Sequence, residues 1–299
     1  KMVVAFLAFC SSTSALLFSS AGGSVITAFG SPSHRFCQVA SSKVRKLQGV
    51  RFESTRYSTI VMQRVGLVTG GNKGIGFEIC RSLAKQAPDM QVLLGARDEN
   101  RGQFSAKQLN ADGLKNVAFL KIDLDNLESI KQAAEKIKEE FGGLDVLVNN
   151  AAIAFKGPEL NEKVARQTID TNYFGTLNVC KELIPLLRPN ARVVVLSALM
   201  NKFVADVSTG THAQQGWPNT AYGVSKIGES ALTRIFARQL VPKNIKVNAV
   251  CPGWVRTDMA GSRAPLSAAE GAETPTWLAL LPDDAPTGCF WKRKQQIAW

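Results

Sequence analysis

From residue 62 onward the chain alternates two patterns of apolar positions. Short β-branched runs at 65–68, 91–94, 117–122, 145–148, 192–196 and 245–250 read as strands. Several are apolar almost throughout, as strands are when helices cover both faces of a parallel sheet. Between them lie stretches in which apolar residues recur every three or four positions, the period of a helix with one buried face. The clearest is 127–141, where Leu127, Ile130, Ala134, Ile137 and Phe141 form one stripe and Asp125 with Glu128 has the spacing of a capping box. Residues 77–86 and 221–240 also read as helices. This alternation predicts an α/β fold, a doubly wound three-layer sandwich with a mainly parallel sheet. Its site belongs at the carboxyl ends of the strands, where the strand order reverses.

The first 61 residues follow neither pattern. Their apolar runs, 3–9 and 15–18, are too short to span a membrane, and the stretch holds twelve Ser, four Thr and one acid. Lys1 with a short apolar run and the small residues Ser19 and Ala21 has the look of a secretory signal. Residues 35–59, basic and poor in acids, have that of an organelle presequence. A third reading places the start of translation at Met62. The sequence therefore divides into a disordered, targeting-like or non-native extension, 1–61, and one domain, 62–299. A cytoplasmic location is expected for the domain, and a mitochondrial or other organellar one if the extension is a genuine presequence.

Composition removes several chemistries. The chain has 299 residues, 45% of them apolar, enough for a full core, and only two His and six Cys. No CxxC pair occurs, so neither a zinc site nor a disulfide framework is expected and no metal is assigned. With His34 in the extension, Ser-His-Asp catalysis would rest on His212, which reads as a surface-loop residue. The net charge of +12 divides evenly, +6 in residues 1–61 and +6 in the remaining 238 residues. A mildly basic domain without a basic block suits a small polyanionic ligand and not a nucleic acid.

The candidate for that ligand is a dinucleotide. Directly after the first predicted strand stands Thr69-Gly70-Gly71-Asn72-Lys73-Gly74-Ile75-Gly76, opening a helix. Glycines there let the backbone turn sharply and approach a pyrophosphate, whose charge then meets the positive end of the helix. The second strand ends at Gly95-Ala96-Arg97-Asp98. An acid at this point selects the ribose 2′-hydroxyl of NAD, whereas Arg97 together with Lys73 suits the 2′-phosphate of NADPH. NADPH is the expected cofactor, with Asp98 left as the residue that would reverse the choice.

Two tyrosines fall in the domain, Tyr173 and Tyr222. Lys226 follows Tyr222 by four positions in a predicted helix, so both share one face, whereas Tyr173 has Leu177 at that offset. A phenol becomes an effective acid–base group near neutral pH when a cation favours its phenolate.

With these residues in view, the chain resembles the short-chain dehydrogenase/reductase family. The elements that match are the Thr69 to Gly76 loop, Asp123 after the third strand, Asn149-Asn150-Ala151-Ala152 after the fourth, Asn172, the Tyr222/Lys226 pair, and Pro252-Gly253 after the sixth. GGLDVLVNNAAIAFK, GWPNTAYGVSKIG, CPGWVRTDMAG and EGAETPTWLALLP resemble its NADPH-dependent carbonyl reductase branch. The resemblance implies a Rossmann-type NAD(P)-binding domain that reduces quinones, aldehydes and ketones to alcohols. Tyr222 would protonate the carbonyl oxygen. Lys226 would bind the nicotinamide ribose and favour the phenolate, and Asn172 would hold a water leading to solvent. Gly70, Asn72, Lys73, Gly74, Ile75, Gly76, Arg97, Asp123, Leu124, Asn149, Ala151, Pro252, Gly253, Val255 and Thr257 would surround the cofactor, with Trp254 and Met259 lining a substrate pocket. The partner implied is a small carbonyl compound. Oligomeric state is left open, although a shortened segment before the Tyr222 helix would bare apolar surface between Ala231 and Phe236 and favour self-association.

Two positions depart from the family pattern. Ala152 stands where the family has Gly, a change compatible with negative φ. The family's catalytic serine aligns with Ala198, and Ser197 beside it would need a bulge to take its place. Only residues 199–221 then separate this strand from Tyr222, fewer than in the carbonyl reductase branch. These departures raise an alternative function, NADPH binding with weak or no turnover.

Overall fold

The computed structural model describes residues 63–155, 160–195, 201–216 and 219–298, together with the backbone of 16–19, 25–31 and 34–40. It divides into two units, Lys1–Met62 and Gln63–Trp299. In the first, β1 (Leu16–Ser19), β2 (Val25–Ser31) and β3 (His34–Ala40) form an antiparallel sheet. Ile26, Thr27, Phe29, Phe36 and Val39 within these strands are β-branched or aromatic, types that favour extended backbone.

The second unit is built on eight strands: β4 (Arg64–Thr69), β5 (Met90–Ala96), β6 (Val117–Lys121), β7 (Leu144–Asn149), β8 (Leu187–Val195), β9 (Lys246–Cys251), β10 (Phe290–Lys292) and β11 (Gln295–Ile297). Their order across the sheet is β6-β5-β4-β7-β8-β9-β10-β11. All neighbours pair in parallel except β10 with β11. Chain progression reverses between β4 and β7, so the crevice at their carboxyl ends is the expected ligand position.

Helices α1 (Gly74–Gln86), α2 (Glu99–Ala111) and α8 (Ala268–Ala279) cover one face. On the other lie α3 (Leu127–Phe141), α5 (Thr176–Leu183) and α7 (Ala221–Gln239). The pleat sends Val65, Leu67 and Leu93 toward α3 and α5, while Val68, Val92 and Leu94 pack toward α1 and α2. Side chains such as Leu67, Leu93, Ile79 and Leu83 are fully buried, each worth about 1.5–3 kcal/mol of transfer free energy. A third cluster joins α4 (Glu162–Ile169) and α6 (Asn201–Ser208) to the start of α7 through Ala165, Ile169, Val204, Val207, Ala221 and Val224.

All six predicted strands are present. The capping box expected at Asp125 and Glu128 is not what starts α3: Asn126 is the N-cap, and its side chain accepts from the Ser129 N–H at 3.2 Å without a reciprocal bond from Ser129, whose hydroxyl accepts from the Asp123 N–H at 3.1 Å. Ala152 is not among the residues with positive φ. The β10–β11 hairpin was unanticipated because its turn uses Arg293 and Lys294 at φ 50° and 60°, where a sequence signal calls for Asn-Gly.

Candidate active site

The loop after β4 turns on Gly70, at φ 65°, and delivers the chain into α1. A Cβ on Gly76 would lie 2.2 Å from the Gly70 carbonyl oxygen, so glycine is required for the first turn of α1 to close on the loop. Lys73 occupies the N-cap with no side-chain hydrogen bond to the helix, and the first turn of α1 contains no acid. That leaves the positive end of a helix facing a cleft, the arrangement that receives a phosphate.

Behind the loop, Thr69 and Asn150 fasten the ends of β4 and β7. The Thr69 hydroxyl accepts from the Asn150 and Ala151 N–H groups at 3.0 and 3.1 Å, and Asn150 Nδ2 donates to the Thr69 and Gly70 carbonyls at 2.9 and 3.2 Å. Both residues stood within the quoted motifs without a role. Asn149, expected to line the cleft, is buried instead, and its Nδ2 points at Cys180 Sγ, 3.6 Å away. Adjacent residues at a strand end project to opposite sides, so Asn150 takes the cleft position.

The cleft has a volume of about 970 Å³ and runs past the loop to the Tyr222 helix. Of the residues singled out in the sequence, Gly70, Asn72, Lys73, Gly74, Ile75, Gly76, Arg97, Asp123, Leu124, Ala151, Tyr222, Lys226, Pro252, Thr257 and Met259 line it. Gly253, Trp254 and Val255 do not: Trp254 is exposed, and Val255 is buried, bridging to Leu266. Ser197 and Ala198 lie outside the described residues. His212 does not line the cleft; it sits in a turn with Nε2 2.9 Å from Asn219 Oδ1.

At the end of β5 the choice between cofactors has a structural expression. The Asp98 carboxylate caps α2, accepting from the Arg101 N–H at 2.9 Å, and is absent from the cleft lining. Arg97 lines the cleft and is largely exposed, with the Asp125 carboxylate 3.8 Å away. Across the cleft mouth Lys73 pairs with Asp258. The uncapped α1 end and two cations with the neighbouring acid diverted fit a dinucleotide carrying a 2′-phosphate.

Asn172 sits in a π-helical turn, Asp170–Gly175, between α4 and α5, and is fully buried. Its Oδ1 accepts from the Ile153 N–H at 2.7 Å, while Nδ2 donates to the Ile153 carbonyl and to Ser225 Oγ at 2.9 and 3.0 Å. It thereby ties the cleft wall to α7, on which Tyr222 and Lys226 stand one turn apart. The Lys226 Nζ lies 5.4 Å from the centre of the Tyr222 ring. It also meets both oxygens of Glu229, at 3.1 and 3.2 Å. Burial pushes the Glu229 carboxyl up to about 7, against the pull of the Lys226 ammonium. Burial likewise pushes the Cys180 thiol up to about 12.

Among the described residues no His, Cys, Asp and Glu cluster suited to a metal is found, and no helix is long and apolar enough to cross a membrane. The family model for short chain dehydrogenases matches residues 64–266. Carbonyl reductase (NADPH) 1 of Mus musculus is 47% identical over 276 residues, covering 79% of this chain and 98% of the mouse protein. The Homo sapiens counterpart is 46% identical with the same coverage. These alignments run over more positions than the matched share of this chain supplies, as a chain shortened relative to them requires. Among solved structures, salutaridine reductase from Papaver somniferum superposes with a TM-score of 0.70 at 31% identity, covering 76% of this chain and 99% of that one. NADPH-bound carbonyl reductase from chicken fatty liver gives 0.64 at 25% identity, covering 80% and 99%. By the span of the family match and by these identities, the chain belongs to the short-chain dehydrogenase family.

Proposed function

We propose that this protein is an NADPH-dependent reductase of carbonyl compounds, with quinones, aldehydes and ketones as its substrate class. The observation that carries the reading is the joining, in one cleft, of an uncapped glycine-loop helix end with the Tyr222/Lys226 pair. The names of the mouse and human relatives give the same cofactor and reaction.

In this reading the α1 end and Gly70 to Gly76 receive the pyrophosphate, Arg97 and Lys73 the 2′-phosphate, and Asp123 and Leu124 the adenine end. When bound, NADPH supplies a hydride to the carbonyl carbon. The carbonyl π pair passes to oxygen, which takes the phenolic proton of Tyr222, so one C–H and one O–H bond form. Lys226 stabilises the phenolate left behind. Asn172 holds Ile153 and Ser225 in place beside the pair, and its Oδ1 keeps a lone pair for a water through which Tyr222 regains its proton. Met259 and Pro252 wall the nicotinamide end. Residues 62–299 would work in the cytoplasm, or in an organelle should 1–61 act as a presequence.

Ala198 favours a second reading, a dinucleotide-binding protein with little turnover, since losing one donor to a developing oxyanion costs about two to three orders of magnitude in rate. NADPH oxidation with menadione, run beside an NADPH-binding titration, separates the two. Turnover supports the reductase; binding without turnover supports the alternative; absence of binding contradicts both.

A further inference from the structure

Helix α7 carries a carboxylate for which the reaction above has no use. Glu229 lies three residues beyond Lys226, is 2% exposed, and receives the Lys226 ammonium on both oxygens at 3.1 and 3.2 Å. The same ammonium stands 5.4 Å from the Tyr222 ring centre. Lys226 is thus placed between a phenol and a buried carboxylate. An apolar residue at 229 would pack on the sheet without the desolvation that a buried charge incurs, so the carboxylate needs an account other than stability.

We propose that Glu229 is a positioning residue for this reaction, acting through Lys226: their ion pair fixes the ammonium beside Tyr222 and moderates its pull on the phenol proton. The proposal rests on the reading of Tyr222 and Lys226 given above.

Among the described residues, few titratable groups face Glu229. From α5 the titratable group facing it is the Cys180 thiol, buried and held neutral by that burial. From β7 and the π-turn come the neutral carboxamides of Asn149 and Asn172, the latter bonded to Ser225 of α7. Helix α4 turns Ala165 and Ile169 toward α7 and keeps its Glu162–Arg166 pair in solvent. Strands β8 and β9 contribute Val193 and Val247 to this side of the sheet.

In so dry a setting, an ionised Glu229 offsets the ammonium charge felt at Tyr222, and the phenol keeps its proton more firmly. When Glu229 takes up a proton, that offset is lifted and the pull of the ammonium on the phenol is stronger. Burial holds that proton on Glu229 until pH reaches about 7, so the exchange falls in the neutral range. Carbonyl reduction, in which Tyr222 gives up a proton, is then favoured below neutrality. Alcohol oxidation, in which the phenolate withdraws one, is restrained above it.

The test uses the full chain with benzaldehyde and NADPH in one direction and benzyl alcohol and NADP+ in the other, across neutral pH. In the wild type, kcat for reduction bends downward near neutrality. In Glu229→Gln, which keeps the shape and removes the titration, the bend disappears and alcohol oxidation at neutral pH rises by at least about threefold. A bend that persists in Glu229→Gln, or a uniform fall at every pH, overturns the proposal. Should Glu229→Gln not fold, Glu229→Asp carries the test: withdrawing the carboxylate by one methylene moves the bend, and an unmoved bend overturns the proposal. Ultraviolet titration of tyrosinate, with Tyr222→Phe subtracted, reads the effect without turnover and places the Tyr222 signal at lower pH in Glu229→Gln; an unshifted signal overturns it. Tyr222→Phe also keeps the two readings apart. If it retains turnover, the assignment of Tyr222 fails; if it loses turnover while Glu229→Gln leaves the profile unchanged, only the role of Glu229 fails.

Discussion

Helices α1 and α8 pack against one another, yet their N-termini are completed in opposite ways. At α8 the Ser267 hydroxyl accepts from the Glu270 N–H at 3.2 Å and the Glu270 carboxylate accepts from the Ser267 N–H at 2.7 Å, a capping box. At α1 the N-cap is Lys73, no side chain caps the helix, and glycines bring its first turn against the loop. Every helix start has unpartnered N–H groups. Where the chain answers them itself, the end is structural; where it leaves them facing a cleft, the end is a place for an anion. The same contrast holds for two carboxylates. Hydrogen bonds from Ser267 hold Glu270 below its ordinary range, while burial lifts Glu229 to about 7.

The largest effect is expected at Gly76. In Gly76→Ala the new Cβ meets the Gly70 carbonyl oxygen, and displacing the loop by about 1 Å weakens NADPH binding by about 100-fold, measurable by fluorescence titration. Ser267→Ala leaves that affinity unchanged.

The carboxylates come next. The folded state binds a proton at Glu229 that the unfolded chain has released, so this residue's contribution is present below pH 4.5 and lost as pH rises toward about 7. Glu270 has the opposite sign, its contribution being lost as pH falls through the carboxylate range. Thermal melts from pH 4.5 to 7 should therefore show Glu229→Gln gaining on the wild type as pH rises, by roughly 2 kcal/mol at the upper end.

At the adenine end, Arg97→Ala should weaken NADPH binding about tenfold and change NADH binding less than about twofold, because only the former carries a 2′-phosphate. The smallest effect sharpens the contrast: Ser267→Ala should lower stability by about 1 kcal/mol and leave turnover unaltered.

Much of this arrangement was legible in the sequence because the physics behind it is local. Strands buried on both faces are apolar throughout, a helix built on a glycine loop shows its glycines, and four residues of spacing place Tyr222 and Lys226 together. What was not legible depends on tertiary placement. Nothing in the spacing of Glu229 from Lys226 marks it as buried; its 2% exposure follows from the way α7 packs. Asn149 and Asn150 are indistinguishable by type, and the pleat at the end of β7 decides which one reaches the cleft. Trp254 reads as an apolar wall, yet the chain turns it outward while Met259 takes the cleft.

Binding by backbone at α1 and chemistry by side chains on α7 would be two separable functions of one cleft. NADPH affinity and menadione-dependent NADPH oxidation, measured side by side for the wild type and Tyr222→Phe, test this separation most directly. For Tyr222→Phe the expected result is an affinity within about twofold of the wild type and a kcat lower by about 10² to 10⁴. Turnover undiminished in Tyr222→Phe, or affinity lost together with turnover, would contradict it.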